Sequence, residues 1–347
     1  MRIALVSVSL LLGVCVTQTW SAAVSPQKGI LEDLGAIRRS QIPLRWDIPV
    51  QGRREADGIN AEVGRYFSFY GLDLPCERHA FGYIPVGVMS IATHVYVPQG
   101  QVRGTVVAAH GYFDHTATWR HAISVLLESG FAVVIYDQPG HGLSSGERAT
   151  IGSFSQYVQV LNAIVSESRQ HLPDPHHLAA HSMGCAAAVD YLLSDPEAAD
   201  IDKVVLVAPL VRSSHWHLAN SGQWIAKGFV SSVRRKFRRN ASDQDYLDFV
   251  KADPLHAKRI PFGWLEALKR WNRRATAFRP KDRQILLIQG DRDATVDFKF
   301  NLPFLKRLFP YHRVVTISGA DHQLFNESEP MRERSLRSMC EYLRGEM

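Results

Sequence analysis

The chain has 347 residues, 46% of them hydrophobic, with four cysteines and a formal net charge of +6 at pH 7. That length and apolar content suit one large core with an insertion and exclude a chain too small to bury one. Only Cys76, Cys185 and Cys340 lie beyond the N-terminal apolar stretch that holds Cys15, so at most one disulfide can form and a disulfide framework is excluded.

Arg2, the apolar stretch Ile3–Val16 and Ser21-Ala22-Ala23 read as a secretory leader cleaved near Ala23, which predicts export to a periplasm or medium. The stretch falls short of the roughly 20 residues a membrane span needs, and an uncleaved N-terminal anchor is the alternative. Residues 24–75 form a polar lead-in with weak helix signals around Glu55–Tyr70. Residues 79–84 and 88–97 then read as a hairpin of edge strands. Strands over 104–110, 132–137, 177–181 and 203–208 alternate with helices over 117–129, 154–171 and 184–195. This alternation demands a mostly parallel sheet flanked by helices, an α/β architecture. The pattern breaks after Pro209 and resumes with strands 284–289 and 314–318 and a final helix near 331–343. The predicted core is therefore split into 76–209 and 281–347, with a helical lid, 210–280, inserted after the sixth strand.

Three of these strand ends carry chemistry. After strand 177–181, His181-Ser182-Met183-Gly184 reads as a nucleophile elbow, a sharp strand-to-helix turn that presents a serine hydroxyl at a helix N-terminus. Ala180 and Gly184 supply the small residues that such a turn needs on either side. After strand 284–289 come Gly290 and two carboxylates, Asp291 and Asp293. After strand 314–318 comes Gly319-Ala320-Asp321-His322. The order serine, acid, histidine is that of α/β hydrolases and not of chymotrypsin or subtilisin. His322 is the expected general base, oriented by Asp293, with Asp291 the alternative acid. After strand 104–110, His110-Gly111-Tyr112 is a turn whose backbone N–H groups, with that of Met183, would form an oxyanion hole.

These blocks resemble a known family. His110-Gly111-Tyr112-Phe113-Asp114-His115 is similar to the His-Gly-x-Gly-Glu-His block of monoacylglycerol lipases and bacterial lysophospholipases, which belong to the serine aminopeptidase-like branch of α/β hydrolases. Asp137–Arg148 resembles their Asp-x-x-Gly-His-Gly-x-Ser-x-Gly block, and the elbow resembles Gly-His-Ser-Met-Gly-Gly, with Ala180 and Cys185 in place of the outer glycines. Phe113 stands where the family has glycine. The resemblance implies Ser182, Asp293 and His322 as the triad, Tyr112 and Met183 as oxyanion donors, and no cofactor. It also implies a monoacyl lipid substrate, such as a lysophospholipid or monoacylglycerol. An aminopeptidase-like acyl hydrolase on the same triad, or a catalytically silent binding protein, are the alternatives. His110, Asp137, His141 and His181 are read as braces for their turns, and Cys185 as a buried small residue.

The insertion holds fifteen Lys and Arg against five Asp and Glu, a balance of +10 within a chain of +6. Trp216, Trp224, Phe229, Phe237, Trp264 and Trp271 are interleaved with these charges. The run Arg234-Arg235-Lys236-Phe237-Arg238-Arg239 predicts a surface for anionic lipid or an anionic head group. The plainer reading is a solvated face above an aromatic core. No nucleic-acid module accompanies the run, so nucleic acid is not an expected partner. No metal site is expected, and His171, His176 and His177 are read as a solvated turn. The oligomeric state is not legible.

Overall fold

The computed structural model describes residues 28–46, 59–214, 216 and 231–347. The predicted leader lies outside these residues, as do Trp224, Lys227 and Phe229 of the insertion. Among the described residues no helix is long and apolar enough to cross a membrane.

Eight strands form one sheet in the order β1-β2-β4-β3-β5-β6-β9-β10. These are β1 (Arg78–Val86), β2 (Met89–Val97), β3 (Gly104–Ala109), β4 (Phe131–Tyr136), β5 (His176–His181), β6 (Ile201–Val207), β9 (Ile285–Gly290) and β10 (His312–Ile317). β1 and β2 pair antiparallel, β2 joins β4 antiparallel, and every other neighbour pair is parallel. Every residue of β3, β4, β5 and β9 is buried. Helices cover both faces, which is why β4 reads as a continuous apolar run. One face packs against helices Phe154–His171, Met183–Ser194 and Phe298–Leu308. The other packs against Arg120–Glu128 and Met331–Arg344. Helix 154–171 starts where a capping box allows it, with Ser153 capping and Gln156 reaching back.

Three expectations change. The lead-in is a structural part of the domain: helices Lys28–Ser40 and Ile59–Tyr70 bury Ile30, Leu34, Ile37, Tyr66 and Tyr70 in a third core shared with Tyr246 and Phe249 of the insertion. The insertion is not purely helical. Helices Gln244–Ala252 and Phe262–Ala275 accompany a two-stranded antiparallel sheet, β7 (Ser232–Arg234) with β8 (Arg259–Pro261). His176 and His177 are buried at the start of β5, not solvated, because that strand lies inside the sheet. No disulfide joins Cys76, Cys185 or Cys340.

Candidate active site

Four strand ends on one edge of the parallel sheet supply the site, as open α/β sheets place their functional loops at the carboxyl ends of strands. Ser182 follows β5 directly with φ 51° and ψ −113°, a backbone that L-residues adopt only under strain. The strain is held from both sides: Ser182 N–H donates to Val207 O at 2.9 Å, and Leu210 N–H donates back to Ser182 O at 3.1 Å. The helix beginning at Met183 must lie close to β3. A Cβ on Gly184 would stand 2.3 Å from Ala109 O, so glycine is required there. Cys185 is buried and its Sγ–H donates to Ala180 O at 3.1 Å. Burial pushes its thiol up, so it is a packing residue.

His322 connects the serine to the acid. Its Nε2 stands 2.9 Å from Ser182 Oγ and its Nδ1 2.7 Å from Asp293 Oδ2. With Nδ1–H donating to the carboxylate, Nε2 offers its lone pair to the serine hydroxyl. Ser182, Asp293 and His322 are all buried. Asp293 also accepts from Thr295 N–H (2.8 Å) and Val296 N–H (3.1 Å) through Oδ1. Burial alone would raise its carboxyl, but the His322 charge and these hydrogen bonds outweigh it and hold it low. Burial would likewise lower His322, and Asp293, with a smaller contribution from Asp114, raises it instead. Asp291 is exposed and accepts from Gly319 N–H at 2.7 Å. The structure therefore brings Asp293, and not Asp291, to His322.

The turn after β3 closes against the serine. A Cβ on Gly111 would lie 2.8 Å from His181 Nδ1 and 3.1 Å from Ser182 Cβ. Phe113 takes φ 72°, the left-handed backbone that glycine adopts freely, so the turn survives the substitution with a strained phenylalanine. Tyr112 stacks on Trp264 of the insertion at 3.7 Å between centroids, and its hydroxyl donates to Ala149 O at 2.6 Å. Met183 is the first residue of its helix, where an N–H has no intrahelical acceptor. His110 and Asp137 are braces: His110 Nε2 accepts from Gln138 N–H at 2.8 Å, and Asp137 accepts from Thr116 and Leu143.

A second layer was not legible in the sequence. Asp114 faces His181 Nδ1 at 3.3 Å and accepts from Gln323 Nε2 at 3.1 Å, while His181 Nε2–H donates to His322 O at 3.1 Å. Asn240 of the insertion accepts through its carbonyl from His322 N–H (3.1 Å) and Gln323 N–H (2.9 Å). Residues 235–242 thus strap the site, running from Phe113 at one end to the His322 loop at the other. Along this extended strap Arg234, Lys236, Arg238 and Arg239 are exposed. Arg235 does not face solvent as its neighbours do; its guanidinium turns inward over the Phe113 ring at 4.1 Å, because alternate residues of an extended chain point to opposite sides.

Beside the strap, His115, Asp253 and His256 place ligand-type atoms within 4.8 Å of one another. The donor set does not suit a cation. Asp253 Oδ1 already accepts from Tyr70 Oη–H (2.7 Å) and Leu255 N–H (2.8 Å), Oδ2 faces His115 Nε2 at 2.7 Å, and the Arg235 guanidinium stands 3.4 Å from His256 Nδ1. The cluster is a buried clamp joining the lead-in, the β3 turn and the insertion.

A family profile described as serine aminopeptidase, S33, matches residues 100–329, most of the chain and all of the site. The chain belongs to this family. Among its relatives, the monoacylglycerol lipase of Mycolicibacterium smegmatis is 26% identical over 271 residues, 73% of this chain and 92% of that protein. A probable lysophospholipase of Haemophilus influenzae is 25% identical over 274 residues, 72% and 87% of the two chains. The solved structure of a soluble monoglyceride lipase variant from Saccharomyces cerevisiae, in complex with a substrate analog, superposes with a TM-score of 0.66 at 19% identity, covering 75% of this chain and 93% of that one. That likeness shows the α/β-hydrolase fold. This S33-family chain is thus an α/β hydrolase similar to monoacylglycerol lipases and lysophospholipases.

Proposed function

We propose that the protein cleaves the carboxylic ester of a monoacyl lipid through a covalent acyl-enzyme. The observation that carries this is the continuous hydrogen-bonded line Ser182–His322–Asp293, 2.9 and 2.7 Å, at a strained elbow. As Ser182 Oγ attacks the acyl carbon, its proton passes to His322 Nε2, and the carbonyl π electrons move onto oxygen. Backbone N–H groups of Tyr112 and Met183 receive that oxyanion, each worth about 2.7–4 kcal/mol in such sites. Collapse expels the alcohol, which takes the proton from Nε2. Water then repeats the sequence and releases the fatty acid. Asp293 keeps the Nδ1–H tautomer and stabilises the imidazolium throughout. No step calls for a cofactor. The lipid substrate class is supported by the relatives' activities.

The test is a hydrolysis panel of p-nitrophenyl esters, monoacylglycerols, lysophospholipids and aminoacyl amides, run on wild type and Ser182→Ala with fluorophosphonate labelling. Ester turnover that vanishes in the folded variant supports the assignment, and retained turnover refutes it. Preferred cleavage of aminoacyl amides would select the peptidase reading. Export with removal of about the first 23 residues is part of the same proposal. N-terminal sequencing of the protein from its native fractions decides it, and an intact Met1 in a cytoplasmic fraction refutes it.

A further inference from the structure

Arg235 is the one member of the basic run that is half-buried, its guanidinium lying over the Phe113 ring in the turn beside the site. Its backbone extends the β7–β8 pairing, with N–H donating to Lys258 O at 2.9 Å. Its guanidinium lies 4.1 Å from the centroid of Phe113 and 4.6 Å from that of Phe237. The polar contacts are long: Nη1 is 3.4 Å from His256 Nδ1 and 3.5 Å from Ala257 O. Among the described residues no carboxylate lies within ion-pair distance of it, whereas Arg65, Arg274 and Arg332 pair with Asp33, Asp190 and Asp243. Burial lowers its guanidinium from the ordinary arginine value, opposed by Asp114, Tyr246, Tyr112 and Asp253 in that order. The two acids are already engaged: Asp114 by His181 and Gln323, Asp253 by Tyr70, His115 and Leu255.

A partly desolvated cation without a close counter-ion is unfavourable until an anion arrives. The ring beneath Arg235 is Phe113, which follows Tyr112 in the turn that presses Gly111 against Ser182. Cation–π contact with Phe113 and Phe237 holds the guanidinium, and a guanidinium fork matches the oxygen spacing of a phosphate. We infer that Arg235 is a specificity residue that binds a phosphate carried on the alcohol side of the scissile ester, so that the favoured substrate is an anionic monoacyl glycerophosphate lipid and not a neutral monoacylglycerol. This rests on the hydrolytic reading of Ser182 given above.

The test compares a monoacylglycerol with its 3-phosphate, same short acyl chain, both below micelle-forming concentration so that no lipid surface contributes. Wild type is expected to favour the phosphate by at least tenfold in kcat/KM, with the preference shrinking as salt rises. Arg235→Gln should bring the ratio close to one, and Arg235→Lys, a charge without the fork, should fall between. Melting curves confirm that the variants fold. Titration calorimetry of glycerol 3-phosphate into Ser182→Ala and into Ser182→Ala/Arg235→Gln reads binding without turnover. Heat in the first and none in the second supports the inference, even if the panel above finds another scissile bond. Equal preference for the two lipids in wild type, or an unchanged ratio in Arg235→Gln, overturns it.

Discussion

Asp253→Asn removes one charge from the buried clamp while keeping its shape. The carboxylate accepts hydrogen bonds from Tyr70 and the Leu255 N–H through Oδ1, and from His115 Nε2–H through Oδ2. An asparagine oxygen at the Oδ1 position would keep the first two. Its NH2 would then face His115 Nε2–H, donor against donor. His115 has no free tautomer to switch to, because its Nδ1 accepts from Ala117 N–H at 3.4 Å. One charge-assisted bond is lost whichever way the amide turns, worth about 1.5–3 kcal/mol, and at low pH, where His115 is protonated and gives up the Ala117 contact, its uncompensated charge adds toward the roughly 3–5 kcal/mol seen when one partner of a buried pair is removed. A loss of about 3 kcal/mol is the expected result, a drop of about 5 °C or more in melting temperature for a domain of this size.

The pH dependence of this loss has a definite sign. Burial would raise Asp253, but His115, His256 and Tyr70 together push it down to about 2, so it is ionised throughout the working range. Burial would lower His115, but Asp253 raises it above its ordinary 6.5. Stability from a raised histidine is full below the unfolded value and is lost as pH rises through the folded one. The Asp253→Asn deficit should therefore be largest at pH 5–6 and shrink toward pH 9. Urea denaturation of wild type, Asp253→Asn, His115→Asn and the double variant measures it, with a coupling of at least about 1 kcal/mol expected between residues in such direct contact. A single-variant loss below about 0.5 kcal/mol, or no coupling, would refute the clamp.

Asp293→Asn should cut ester turnover by about 10⁴-fold, as loss of the orienting carboxylate does in such triads, and Asp291→Asn by little; the reverse ranking in steady-state assays would move the acid to Asp291. Replacing the exposed Arg234, Lys236, Arg238 and Arg239 with Gln should weaken sedimentation with anionic vesicles, since each surface cation near such a bilayer contributes about 1 kcal/mol, screened over about 8 Å. Unchanged sedimentation at low salt would leave these residues without that role. Burial holds His94, His141 and His256 down to about 4, 3 and 4, so these groups stay neutral in the folded protein while the unfolded chain takes up protons below 6.5. Stability should therefore fall between pH 6.5 and 4, by about 1.4 kcal/mol per pH unit for each group. Urea midpoints that do not move between pH 7 and 5 would contradict this.

What the sequence determined by itself is whatever a few neighbouring residues encode. Apolar runs such as Phe131–Tyr136 mark strands buried on both faces, and their alternation with helices gives the parallel sheet. Small residues around Ser182, Gly290 before Asp293 and Gly319 before His322 mark turns where the backbone has no room for a larger side chain or needs a special φ. Pairings across distance carry no such mark. Asp253 meets His115 across 138 residues and Tyr70 across 183, and neither neighbourhood signals the other. The lead-in helix Lys28–Ser40 shows apolar residues at Ile30, Leu34 and Ile37, but only the assembled fold, which brings Tyr66, Tyr83, Leu143 and the insertion into one core, gives that stripe something to cover. Arg235 shows the same division most sharply. Within Arg234–Arg239 every cation looks alike in sequence, and extended chain sends alternate side chains to opposite faces. Which face meets the Phe113 ring, and which meets water, is decided by how β7 and β8 set the strap against the core, because that packing alone chooses the charge that is partly desolvated.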